Sequence, residues 1–387
     1  MRRRPLVSVA TSLWGFQASL MMPSLALVLV SLYGATPVQV GWVMTISNSA
    51  GFVASLVIPS LADRRARYLQ ILLVCAVLSI GLGVGLATAS NLVAGTVVLA
   101  LLGAPAGVGN SLLFAHMNHT GSSRAEVMSV RAVFSLAWVI GPPAATALIA
   151  AFGVISVPVG IIVIAVLNTI TSAILLARAR PAAVEHTEAT PKTPPPTLTR
   201  RTLPVLIVVF LAIALAQATN TASIAITSLY VTEHMHLPVL WAGLALGAAA
   251  GLEVPVLMVQ ARIVGRFSTP TLLVAGCLVG VAYYLGMAFA TSALVLMLVQ
   301  VLKAWFYGTM IGVGMTWFSE LIPRSGLAMG LYANAGRVGS VLAGLLVGGA
   351  VQSWGFGGIF LACAVVVGFA ALLVVGVSVA SRGERVA

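Results

Sequence analysis

Hydrophobic and polar positions divide the chain into twelve long apolar segments that are separated by short polar ones. Each apolar segment approaches the roughly 20 residues that an α-helix needs to cross a bilayer. The pattern predicts spans at residues 6–32, 38–61, 69–89, 92–114, 126–150, 155–177, 203–230, 239–261, 270–290, 293–316, 326–351 and 357–380. We therefore predict an all-α integral membrane protein with twelve transmembrane helices.

The longest polar stretch lies in the middle of the chain and contains the proline-rich run PKTPPPTLTRRT. Such a composition is typical of a flexible linker. It predicts a six-helix half at 1–177, a linker at 178–202 and a second six-helix half at 203–387. A short repeat supports two related halves, because Gly107-Val108-Gly109 recurs as Gly312-Val313-Gly314. Secondary transporters share this organisation, with a substrate site between the halves.

Outside the spans, the positions of arginine and lysine follow a regular pattern. They occur at both termini and between even-numbered spans and the next odd-numbered span, but no odd-to-even connection carries either residue. Positive residues are enriched in cytoplasmic loops. We expect both termini and the linker to be cytoplasmic.

Composition excludes several classes of protein. Of 387 residues 60% are hydrophobic and 7% are charged, and the mean hydropathy is +1.09, whereas soluble domains have about 25% charged residues. The net charge of +12 lies at the membrane boundaries, which predicts membrane lipids and not nucleic acid as partners. Cys75, Cys277 and Cys363 fall inside apolar spans, so no disulfide framework is implied.

Motifs for enzymatic chemistry were not found in the sequence. It has no HExxH, no P-loop and no nucleophile elbow, which argues against an intramembrane protease and an ATP-driven pump. His116 and His119 have a metal-like spacing, but no cysteine or acid cluster joins them. We predict no enzyme, cofactor or metal site, and an ion gradient as the source of energy.

Charged residues deep in the spans are rare and costly, at roughly 2.5 to 3.5 kcal/mol each near the centre of a bilayer. Glu253 is the only carboxylate deep in a span, and Lys303 and Arg337 lie near mid-span. Arg131 is close to a predicted boundary, where a long side chain can also extend to the interface. We predict that these four residues form a proton-coupling or charge network. A purely structural ion pair at Glu253 is the alternative.

The fifth span contains Gly141-Pro142-Pro143. Two prolines remove backbone N–H donors, so we expect a bend and close packing of neighbouring helices. Gly141 and Pro142 are therefore predicted to serve a conformational change.

Several segments carry a resemblance to a known family. RAVFSLAWVIGPPAA (131–145) is similar to the fifth helix of the bacterial sugar efflux transporters of the major facilitator superfamily, with Gly141-Pro142 at the antiporter signature. HLPVLWAGLALGAAAGLEVP (236–255), MTWFSELIPRSG (315–326) and GLYANAGRVGSVLAG (330–344) extend the resemblance over nearly the full length.

The loop PSLADRRARY resembles a signature of the same superfamily, with Pro59 and Ala66 where glycines are usual. The resemblance implies that Asp63 and Arg67 form a conformational latch. The alternative is an ordinary positively charged cytoplasmic loop.

The resemblance implies a monomer with the major facilitator fold that exports sugars or sugar-like glycosides across a bacterial inner membrane. Proton antiport with alternating access is the expected mechanism. The alternative is a multidrug efflux antiporter of the same superfamily, which would predict an acid in the first half. Here the mid-span charges lie in spans 8, 10 and 11. A scaffold or enzyme would leave these charges without a purpose.

A sugar ligand needs amides that pair with hydroxyl groups and aromatic faces that contact the ring. The alternative roles are bridges between helices for the amides and interface anchors for the aromatic residues. The candidates for substrate binding are Gln17, Asn48, Asn110, Asn220, Asn334, Trp138, Trp305, Tyr307 and Tyr332.

Overall fold

The computed structural model describes residues 4–65, 67–120, 122–178, 202–322 and 325–383. Within these ranges, twelve helices are long and apolar enough to cross a membrane, which confirms the predicted fold class. They are α1 (Leu6–Tyr33), α2 (Pro37–Arg64), α3 (Tyr68–Thr88), α4 (Leu92–Met117), α5 (Ser129–Phe152), α6 (Ser156–Ala177), α7 (Leu203–His234), α8 (Leu240–Ile263), α9 (Thr269–Ala288), α10 (Ala293–Leu321), α11 (Ala328–Gly355) and α12 (Gly357–Val379). Most of the predicted linker, residues 179–201, lies outside the described residues.

Successive spanning helices alternate in direction. We call the end at which α1 begins and α12 ends the terminal end, and the opposite end the distal end. α1 packs against α5 and α6, and α3 packs against α6, whereas α7 packs along the α11–α12 segment and α9 packs against α10. By chain order, we refer to the first six helices and the last six helices as two groups, which meet where α2 packs on the α11–α12 segment, α5 on α8, and α1 on α7.

Two local features of α4 and α5 are relevant to the site described below. α4 is irregular in its middle, where a π-helical turn spans Leu99–Gly103, a short α-helical segment spans Ala104–Ala106, and a longer helical segment begins at Gly109. Single π-turns inside α-helices are frequent at functional sites. α5 extends toward the terminal end as helix Arg124–Phe152, and its first turn is capped by Ser123 and Glu126.

The two groups touch closely at the distal end. A methyl group added to Gly41 of α2 would overlap the backbone of Gly348 in α11, and one added to Gly243 of α8 would lie 2.5 Å from the Pro142 carbonyl oxygen of α5. The Ser228 hydroxyl of α7 donates a hydrogen bond of 2.7 Å to the Pro23 carbonyl of α1. Small residues permit such close approach between membrane helices.

Candidate functional site

A cavity of about 370 Å³ lies between the two groups, on the terminal side of these contacts. Its walls come from α1, α2, α4, α5, α7 and α11, and the irregular part of α4 contributes Leu99 and Gly103. Four residues proposed from the sequence line it: Gln17, Asn48, Asn110 and Arg337.

Gln17 has structural partners as well as a place in the cavity wall. Its Nε2 atom donates to Ser79 Oγ at 3.1 Å, and its Oε1 atom accepts from Asn168 Nδ2 at 3.1 Å. The side chain thus joins α1 to α3 and α6. The helix-bridging role considered for these amides applies here, and it holds the amide in a fixed orientation.

Asn48 connects the two groups of helices. Its Nδ2 atom donates to the Ser340 carbonyl oxygen of α11 at 2.7 Å. The Ser340 hydroxyl lies 3.4 Å from the Thr221 hydroxyl of α7. Both Ser340 and Thr221 line the cavity, so hydroxyl groups of the last six helices face the amides of the first six.

Two buried polar atoms of cavity-lining residues have no hydrogen-bond partner among the described residues. They are Asn110 Oδ1 on α4 and Trp14 Nε1 on α1. A buried acceptor or donor without a partner destabilises the protein by about 1–3 kcal/mol. Both atoms are enclosed in this conformation, so their side chains would have to rotate to bring them into contact with a ligand in the cavity.

Arg337 is the one charged side chain among the described residues that line this cavity. It is half-buried, and its Nη1 atom donates to Asn334 Oδ1 at 2.9 Å. Asn334 itself is not part of the lining. Its role in this conformation is to orient the guanidinium group.

Glu253 belongs to a second cluster. The half-buried Tyr307 and the buried Tyr332 each interact electrostatically with both Glu253 and Arg131. Arg131 is exposed on α5 and Glu253 is half-buried on α8. Within the described part of the chain, Glu253 forms no ion pair with Arg131, Lys303 or Arg337 in this conformation.

Lys303 is enclosed by the last six helices and does not line the cavity. Its side chain is 5% exposed, and its Nζ atom has no hydrogen-bond partner in the described ranges. The ammonium group lies 5.7 Å from the centre of the Tyr283 ring, within the range of a cation–π interaction.

The remaining substrate-binding candidates also lie outside the cavity lining. Asn220 is buried in α7, and Trp138 and Trp305 are half-buried. The Trp305 carbonyl accepts from Gln260 Nε2 at 3.1 Å. The Tyr332 hydroxyl donates to the Met310 carbonyl at 3.1 Å, within the last six helices.

The conformational candidates occupy two places. Gly141 packs within the first six helices, because a methyl group there would overlap the Ser19 side chain of α1, whereas the Pro142 carbonyl faces α8. Asp63 Oδ1 accepts a hydrogen bond of 2.6 Å from the Tyr68 hydroxyl. Arg67 is exposed in the turn between α2 and α3.

Sequence reasoning missed six polar residues of the lining: Trp14, Ser47, Ser55, Ser111, Thr221 and Ser340. Trp14 lies three residues before Gln17, and Ser340 lies three residues after Arg337, so each shares a helix face with a residue that was chosen. This spacing could have identified them. Thr221 has no comparable signal, since the neighbouring Asn220 was chosen and faces elsewhere.

Membrane helices around a central cavity that is lined by both apolar and polar residues are typical of a secondary transporter. A family model for the Major Facilitator Superfamily matches residues 7–296. The chain is 30% identical over 375 residues to Sugar efflux transporter A of Escherichia coli (strain K12), covering 91% of this chain and 90% of that protein. It is also 30% identical over 362 residues to Sugar efflux transporter B of Salmonella typhimurium (strain LT2), with 91% and 90% covered. The chain therefore belongs to the sugar efflux transporter family of the Major Facilitator Superfamily.

Solved structures agree with the fold. The nucleoside transporter NupG superposes with a TM-score of 0.78 at 12% identity and covers 98% of this chain and 99% of that chain. An inward-facing, unoccupied bacterial homolog of the human lysosomal transporter Spinster gives a TM-score of 0.75 at 13% identity, with 98% and 96% covered. The protein is a multi-pass membrane transporter and not an enzyme.

Proposed function

We propose that the protein exports sugars or sugar-like glycosides across a bacterial inner membrane by proton antiport with alternating access. The cavity between the two groups is the observation that carries the proposal. It offers amides at Asn48 and Asn110, hydroxyl groups at Thr221 and Ser340, and the Trp14 ring, a combination that suits a polyhydroxylated ligand. The relatives' names support a sugar as the substrate.

The positive charges in the connections support a cytoplasmic location for both chain termini. The terminal end then faces the cytoplasm, and the cavity lies on the cytoplasmic side of the closed distal contacts. This conformation accepts substrate from inside the cell. Release outside requires Gly41 to separate from Gly348, and the terminal ends of the helices to come together.

Glu253 is our candidate for the proton carrier. A carboxylate at this depth in a membrane helix is more stable when it is protonated or paired with a cation. Glu253 and Arg131 both interact electrostatically with Tyr307. Alternation between a protonated and a paired carboxylate would link the conformational change to the proton gradient.

Everted membrane vesicles that contain the protein test the proposal. Respiration acidifies their interior, so an antiporter should accumulate labelled sugar there. The substrates are radiolabelled neutral sugars, acidic sugars and an aryl glycoside. We expect accumulation of at least one of them, and we expect a protonophore to abolish accumulation while slow equilibration continues. The same uptake with and without a gradient would refute proton antiport, and no uptake of any substrate would refute sugar transport.

Cysteine labelling in intact cells tests the orientation. The native cysteines Cys75, Cys277 and Cys363 are buried, so the reagent should label only the added cysteine. Pro191→Cys in the linker should resist an impermeant reagent, whereas Ser90→Cys, exposed between α3 and α4, should react. The reverse result would contradict cytoplasmic termini.

A further inference from the structure

The charge of the cavity is not balanced by the protein. Among the described residues of its lining, Arg337 is the one ionisable side chain, and no aspartate or glutamate is present. Glu253 lies instead with Arg131, Tyr307 and Tyr332. A half-buried guanidinium at mid-span is unfavourable without an anion, yet the wall of the cavity supplies none.

Most of the donors of Arg337 are not used by the described residues. A guanidinium group has five N–H donors in a fixed planar arrangement, and the contact with Asn334 Oδ1 at 2.9 Å uses one of them. Asn334 lies one turn before Arg337 on the same helix, so it restrains the side chain without neutralising it. The planar group remains able to pair with two oxygens of a carboxylate or a phosphate.

The opposite wall offers complementary chemistry. Asn110 is partly exposed and lines the cavity, and its amide can donate to or accept from a hydroxyl group of a ligand. Trp14 contributes part of an aromatic ring to the lining. A ligand that satisfies both walls has hydroxyl groups on one side and an anionic group on the other.

Closure of the cavity also favours a ligand with an anionic group. Ser340, one turn beyond Arg337, already accepts a hydrogen bond from Asn48 across the two groups. When the terminal end closes, Arg337 loses contact with water, and an unpaired cation in such a site is strongly unfavourable. An anion that accompanies the substrate removes this barrier, so an occupied cavity closes more readily than an empty one.

We propose that the substrate is an acidic sugar, that is, a sugar with a carboxylate or phosphate group, which Arg337 binds while the Asn110 amide pairs with a hydroxyl group. This inference rests on the proposed function and narrows its substrate class. It differs from the general proposal because a neutral sugar leaves Arg337 without a counter-ion.

The test measures binding to the purified full-length protein in lipid nanodiscs by isothermal titration calorimetry. The ligands are glucose, glucuronate, glucose 6-phosphate and inorganic phosphate. We expect glucuronate or glucose 6-phosphate to bind at least about tenfold more tightly than glucose, which corresponds to about one charge-assisted contact. Glucuronate and glucose 6-phosphate distinguish a carboxylate from a phosphate. Inorganic phosphate should bind more weakly than the preferred acidic sugar.

Variants of Arg337 test whether this residue causes the preference for acidic sugars. Arg337→Gln should remove the preference, so that glucose and the acidic sugars bind with similar affinity, and Arg337→Lys should keep part of the preference because it retains the charge without the planar geometry. Arg262→Gln is the control, since it removes one positive charge at the exposed end of α8. If Arg337→Gln fails to fold, the order of affinities for glucose and the acidic sugars in the wild-type protein and in Arg337→Lys still tests the proposal.

Three outcomes would overturn the inference. They are equal or tighter binding of glucose, an unchanged preference in Arg337→Gln, and binding of inorganic phosphate as tight as that of the acidic sugars. Neutral sugars that bind and accumulate in vesicles would leave the proposed function intact. Failure of every sugar in both assays would remove the proposed function as well.

Discussion

The two groups of helices contribute different chemistry to the transporter. The first six provide neutral amides to the cavity, from Gln17, Asn48 and Asn110. The last six carry the ionisable residues found deep in the spans, Glu253 and Lys303 among them. A neutral wall can lose and regain water in each cycle without a change of protonation, whereas charged groups respond to a proton gradient. Recognition by the amides of the first six helices and coupling at Glu253 should therefore be separable by mutation.

The largest effect on transport is expected at the distal contact between the two groups, because both recognition and coupling depend on this contact. Gly41→Leu places a side chain against the backbone of Gly348, and overpacking of about 3 kcal/mol in one state would lower the rate of transport roughly 100-fold. The measurement is the initial rate of uptake into everted vesicles at matched expression. Gly349→Leu is the control, because nothing lies within 4 Å of an added methyl group there. A wild-type rate for Gly41→Leu would show that this contact is dispensable.

Glu253→Gln tests the coupling side of the comparison. It keeps the shape of the side chain and removes the titrating proton, so we expect loss of the accumulation that a pH gradient sustains, about tenfold per pH unit for exchange of one proton. Exchange of labelled for unlabelled substrate should continue. Glu320→Gln, exposed near the terminal end of α10, is the matched control.

Two other results for Glu253→Gln would lead to different conclusions. Poor expression or misfolding would indicate a structural ion pair, because a buried cation would be left without its partner. Normal accumulation with an unchanged dependence on pH would place the coupling group elsewhere, and the division between a neutral and a charged group of helices would lose its functional meaning.

The fold could be predicted from the sequence because bilayer thickness fixes the length of each span, whatever the packing. Part of the site could be predicted for a related reason: amides such as Asn48 and Asn110 are unfavourable toward lipid and turn inward. The orientation of Trp305 and Tyr332 could not be predicted, since the same aromatic residues also pack between helices or anchor at the interface. The position of Lys303 depends on rotation of α10 about its axis, which a uniformly apolar helix does not reveal.

Asn110→Leu tests the recognition side. It removes the amide from the cavity wall, and we expect the dissociation constant of the substrate to rise about tenfold, the usual cost of one lost hydrogen bond to a buried group. The gradient dependence of transport should not change. Asn220→Leu, which replaces a buried amide outside the cavity lining, should alter affinity by less than about twofold. Loss of gradient dependence in Asn110→Leu would break the separation of recognition from coupling.

The smallest effect on transport is expected for Lys303→Met. This variant tests whether every charged residue of the last six helices belongs to the coupling network. The Lys303 ammonium is enclosed beside Tyr283, away from the cavity, and its Nζ atom has no hydrogen-bond partner among the described residues. Methionine fills a similar volume without the penalty of burying a charge, so the variant should be as stable as the wild type or more stable, with a Tm higher by about 2–4 °C for each kcal/mol gained. Substrate affinity and pH-driven accumulation should stay within about twofold. A thermal-shift assay and vesicle uptake on the same preparation provide both readouts. If accumulation is lost while the Tm is maintained, Lys303 takes part in coupling, and the charged network extends from Glu253 into the interior of the last six helices.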